Sequence, residues 1–127
     1  MPDKTTYEFA VIRIVPRVER EEFINAGVIV FSKRKRFLDM KFKIDEQRLL
    51  ALDQEIDLEL VREYLTAWHA ICKGGKAGGP IGSMDTNYRY RWLTAYKNTI
   101  IQTSRPHPGI CDDPANKLER LFEQFVN

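Results

Sequence analysis

The sequence predicts an α+β domain with a single mostly antiparallel sheet of about four strands and helices packed on one side. Three observations carry that expectation. Three strand-like segments follow one another before residue 45, the apolar period then lengthens to that of a helix, and a further strand and helix close the chain. At 127 residues, 43% hydrophobic and 30% charged, the chain has the length and apolar content of one domain, expected to span residues 1–127.

Tyr7 to Val15 is rich in β-branched and aromatic residues and ends at Pro16. Phe9 and Val11 alternate with Ala10, Ile12 and Ile14, so both faces are apolar and the strand is expected to be internal. Ala26 to Ser32 repeats the pattern, with Val28 and Val30 opposite Ile29 and Phe31, and is expected beside it. Phe37 to Ile44 differs. Leu38, Met40, Phe42 and Ile44 alternate strictly with Asp39, Lys41 and Lys43, as on a half-exposed edge strand.

Gln47 to Leu52 fits a short helix, and Asp57 can cap a longer one running to Lys73, stopped by Gly74 and Gly75. Leu58, Val61, Leu65, Trp68 and Cys72 form its stripe. Gly74 to Ser83 holds five of the seven glycines and reads as a flexible loop. Asp85 to Tyr96 suits a helix, although Tyr88, Tyr90 and Trp92 also fit one face of a strand. Thr99 to Thr103 reads as a fourth strand. In the last helix Asp113 is the cap, Pro114 the first residue, and Ala115, Leu118, Leu121, Phe122 and Phe125 the apolar face.

Composition narrows function less than fold. Met1 to Thr6 has no apolar stretch suited to a secretory signal, no run is long enough to span a bilayer, and both cysteines suit reduced thiols, so a cytoplasmic location without membrane contact is expected. The net charge of +2 is far from that of a dedicated nucleic-acid binder. It is unevenly spread, with ten basic and six acidic residues in 1–44 but three and seven in 45–73.

Five groupings invite a chemical reading. Arg13, Arg17 and Arg20, with Glu19, Glu21, Glu22 and Asn25, crowd the passage between the first two strands. Guanidinium forks bind carboxylates or phosphates, whereas an internal ion-pair network is the plainer use of such a cluster. Arg13 is the strongest candidate because it interrupts an apolar face. The basic run Lys33 to Arg36 reads as a solvated hairpin tip rather than a nucleic-acid contact. YRYRW at 88–92, with Arg89, Arg91 and Trp92, offers stacking and cationic groups, though such density usually builds core or interface. GGKAGGPIG at 74–82 lacks the Ser or Thr that a phosphate loop places after its lysine. His69 with Cys72 and His107 with Cys111 have spacings zinc accepts, but Cys72 lies on a core stripe and His69 does not, so no metal and no cofactor is expected. His107, Cys111, Asp112 and Asp113 hold the residue types of a nucleophilic triad without geometry to support one.

Three stretches, YEFAVIRIVPRVEREEFINAGVIVF from Tyr7, RYRWLTAYKNTIIQTS from Arg89 and HPGICDDPANKLERLFEQFV from His107, resemble the bacterial domain of unknown function 3037 family. The chain departs from that pattern at Tyr96 and Asn98, where a proline and a small residue are expected. The resemblance implies bacterial origin, no established activity, and a protein partner, a HipA-like kinase being the one suggested. The leading expectation is therefore a non-enzymatic interaction or accessory module. Its functional face would combine Arg13, Arg17, Arg20 and Asn25 with Arg89, Arg91 and Trp92 for an anionic group. The alternatives are a nucleic-acid-associated factor and a small enzyme with an arginine-lined anion site, where Arg13, Arg17, Arg89, Gln102 and His107 would converge. Homo-oligomerisation is left open.

Overall fold

The computed structural model describes residues 4–127. The segment Met1 to Asp3, where the expectation about a leader begins, lies outside the described residues. Among the described residues five strands and five α-helices follow one another: β1 (Thr5–Ile14), β2 (Ile24–Ser32), β3 (Phe37–Phe42), α1 (Glu46–Leu52), α2 (Leu58–Lys73), the single turn α3 (Gly79–Gly82), α4 (Thr86–Thr94), β4 (Ile101–Thr103), β5 (His107–Cys111) and α5 (Pro114–Phe125). All strand pairings are antiparallel, so the fold is the expected α+β.

The two-faced apolar strand β1 is internal. It pairs with β2 along one side, and along the other with β5 over Thr5 to Phe9 and with β4 over Ile12 to Ile14. Between β5 and β4, Ser104 keeps the ladder closed. Its N–H donates to the Val11 carbonyl at 2.8 Å, and its hydroxyl accepts the Val11 N–H at 2.9 Å. The strictly alternating β3 is an edge strand beside β2, as its pattern predicts.

Helix ends follow the sequence closely. Asp45, Asp57, Asp85 and Asp113 each accept a backbone N–H at the start of α1, α2, α4 and α5, which satisfies donors that a helix start leaves unpaired. The segment from 74 to 83 is not the open loop its glycines suggest. It forms a 3₁₀ turn and α3, and Gly78 lies so close to the Ala70 carbonyl that a Cβ would approach it to 3.1 Å.

Two features depart from the expected layering. β5 makes a fifth strand where Pro108 and Gly109 read as loop, and the helices cover both faces of the sheet rather than one. Ile12, Ile14, Ile29, Phe31 and Met40 pack under α1, α2 and α4 with Leu49, Leu65, Trp68, Tyr90 and Leu93. Tyr7, Val28 and Val30 pack under α5 with Cys111, Leu118 and Leu121. An internal sheet that is apolar on both faces requires a cover on each, and the strong apolar face of α5 supplies the second.

Candidate functional site

α5 covers only part of its face of the sheet. Beyond its last turn the face lies open at Phe9, Val11 and Arg13, and a cavity of about 490 Å³ forms there. Phe23, Asn25, Ser104, His107 and Phe125 complete its lining. A second, more polar cleft of about 620 Å³ adjoins it through Arg13 and Phe23, and Glu19, Glu21, Tyr96, Asn98 and Gln102 contribute to its wall.

The strand register builds this site. Arg13 stands opposite Asn25 on β2 and Gln102 on β4, so three neighbouring strands place a guanidinium between two carboxamides. Asn25 reaches this face because β2 contains a bulge. Gly27 pairs with Ile12 and Asn25 with Arg13, leaving Ala26 without a partner on β1. That extra residue reverses the alternation: Val28 and Val30 face α5, yet Ile24 and Ala26 lie in the core beneath α2. Without the bulge Asn25 would point into that core; with it, Asn25 lies beside Arg13 and donates to the Phe125 carbonyl at 3.2 Å.

Arg13 has an unusual environment. Its guanidinium carbon lies 4.3 Å from the centroid of the Phe23 ring, and its Nε is buried without a hydrogen-bond partner. Among the described residues no carboxylate lies within ion-pair distance of it. The ring covers one face of the guanidinium, and among the described residues no hydrogen bond engages its terminal N–H groups. Phe23 is 44% exposed, a large apolar surface with no cover from the fold. Ser104 has no free hydrogen, because its hydroxyl donates to the Arg105 carbonyl at 3.0 Å. The His107 ring lies 5.2 Å from that of Phe9 and is exposed at the cavity edge.

The other sequence candidates disperse. Arg17 pairs with Asp53 at 3.6 Å and Arg20 with Glu22 at 2.9 Å, as in an internal ion-pair network. Arg89 holds the fold. It donates to the Ile71, Cys72 and Met84 carbonyls at 2.7 to 3.0 Å, closing the end of α2 and fastening the segment before α4. Arg91 makes a fork with Glu8 of β1 at 3.0 and 3.1 Å, and this pairing raises its pKa. Trp92 packs on the core beneath α2 and receives the Lys97 ammonium 4.8 Å from its ring. The expected face therefore divides, with Arg13, Asn25, Gln102 and His107 brought together on the α5 side and Arg89, Arg91 and Trp92 used on the other. Phe23 and Tyr96 join the site without having been singled out as binding residues, because their placement depends on tertiary packing.

The cysteines lie on opposite sides of the sheet. Cys72 belongs to the core under α2 and Cys111 to that under α5, so the two His and Cys pairs do not form one ligand set. Burial pushes the Cys72 thiol up to about 12, and nearby Asp39 adds to the rise. Burial also raises Cys111. Both thiols resist ionisation, the reverse of what a nucleophile needs.

Fold and site together define a small α+β protein with an aromatic-walled cleft around one guanidinium. The chain belongs to the family described as protein of unknown function (DUF3037), whose model matches residues 9–126 and so spans the whole cleft. No curated protein and no solved structure matches the chain. Among the described residues no helix is long and apolar enough to cross a membrane.

Proposed function

We propose that this chain is a non-enzymatic interaction or accessory module that captures an anionic group of a protein partner at Arg13. The observation that carries the reading is the guanidinium itself, which is partly buried, stacked on Phe23 and not ion-paired within the described chain. A cation taken partly out of water without a counter-charge is a cost to the fold, and a ligand carboxylate or phosphate removes it. The exposed Phe23 ring and the neighbouring Phe9 and Phe125 give the same surface an apolar part, as recognition sites usually have.

The HipA-like kinase suggested by the family resemblance is the partner to test first. An immobilised wild-type chain is expected to retain the purified kinase, and an Arg13→Gln chain to retain at least tenfold less, an effect of the size that charge-assisted forks produce. Equal retention by the two chains would remove Arg13 from the interface. A nucleic-acid role would instead centre on the basic tip from Lys33 to Arg36. It predicts retention of an oligonucleotide that falls steeply as salt rises and that Arg13→Gln leaves unchanged.

A further inference from the structure

We infer that the group recognised at Arg13 is an amphipathic monocarboxylate, one carboxylate carried on an aromatic or branched apolar group. This rests on the proposed role of Arg13 as an anion site and specifies its ligand. Charge selects the head group. The basic side chain common to both clefts is Arg13, while Glu19 and Glu21 line the polar one. A phosphate dianion would meet one guanidinium and two like charges, whereas a carboxylate needs only the in-plane fork that stacking on Phe23 leaves open.

Shape selects the rest. The cavity on the α5 side is walled by Phe9, Val11, Phe23 and Phe125, and its 490 Å³ falls within the roughly 300–1,000 Å³ of small-ligand sites. An apolar group lying against the three phenylalanines places its carboxylate at Arg13, while His107, opposite Phe9 on β5, lines the far rim. The same chemistry is offered by a free acid and by the C-terminal residue of a polypeptide.

Titration of the ¹⁵N-labelled chain with 3-phenylpropionate, 3-phenylpropanamide, N-acetyl-Gly-Phe and inorganic phosphate tests this. The amide resonances of Asn25, Ser104 and His107 are expected to shift with 3-phenylpropionate or N-acetyl-Gly-Phe. The acid should bind at least about tenfold more tightly than its amide, and Arg13→Gln should abolish that preference. Tighter binding of the free acid assigns a small acid, and tighter binding of the peptide assigns a chain terminus. Equal affinity for acid and amide would overturn the inference, and this comparison needs only the wild-type chain should Arg13→Gln fail to fold. Arg13-dependent binding of phosphate in preference to both acids would overturn the monocarboxylate while leaving the anion site standing. Absence of Arg13-dependent binding by every probe would remove both.

Discussion

The two faces of the sheet are closed to different extents, and their polar groups differ accordingly. On the face under α1, α2 and α4, cations are absorbed by the fold. Arg89 binds carbonyls at the end of α2, Arg91 binds Glu8, and the Lys97 ammonium donates to the Trp92, Leu93 and Ala95 carbonyls at 2.6 to 3.2 Å beneath two tryptophan rings. The buried Tyr90 hydroxyl is the exception, lacking a partner, and burial raises its pKa. On the opposite face α5 stops at Phe125, and Arg13 keeps its hydrogen-bonding edge unused. The comparison separates arginines that hold the structure from one that the described fold leaves without a hydrogen-bonding partner.

Breaking the closed face should have the largest effect. Leu65 is fully buried there, and Leu65→Ala is expected to cost about 2–5 kcal/mol in urea unfolding. Phe125→Ala, on the open face and half-buried, should cost clearly less; equal losses would mean that both faces are packed alike.

A titration sharpens the same contrast. Cys72 keeps its proton in the folded chain to about 12 against an ordinary 9.0, so the stability it contributes is complete below pH 9 and is lost as pH rises from 9 towards 12. Relative to Cys72→Ala, the wild type should lose about 2 kcal/mol by pH 10.5. A difference that stays constant from pH 8 to 10.5 would place the thiol in contact with water. Smaller again is the cap of α5: Asp113→Ala should lower stability by about 1 kcal/mol, measured by urea midpoint, without altering ligand binding at Arg13.

Much of this fold is written in local pattern. The two-faced β1, the alternating β3 and the aspartate caps Asp57 and Asp113 stand where periodicity and capping chemistry place them, while the caps Asp45 and Asp85 emerge only from the structure. β5 is hidden because Pro108 and Gly109 carry turn signals, and only the fold reveals that Gly109 is needed under the Tyr7 ring, which a Cβ would meet at 2.7 Å. The second helical layer is equally hidden, since an apolar stripe does not say which face of a sheet it covers.

The site is half legible. Arg13 is visible as a charge interrupting an apolar strand, but its neighbours Asn25 and Gln102 follow from strand register, and register includes a bulge masked by apolar residues on both sides of Gly27. Arg89 misleads for a physical reason. Its basic, aromatic surroundings look like a binding surface, while its real partners are carbonyls at the end of a helix, 17 and 18 residues earlier in the chain.

The central claim is that Arg89 serves the fold and Arg13 serves a ligand, and equilibrium unfolding of Arg13→Gln beside Arg89→Gln tests it most directly. Arg89→Gln leaves the part-buried Ile71 and Cys72 carbonyls without this donor and is expected to lose about 1–3 kcal/mol. Arg13→Gln removes a partly buried, unpaired charge and is expected to change stability by no more than about 0.5 kcal/mol, or to raise it. A loss on Arg13→Gln as large as that on Arg89→Gln would contradict the account.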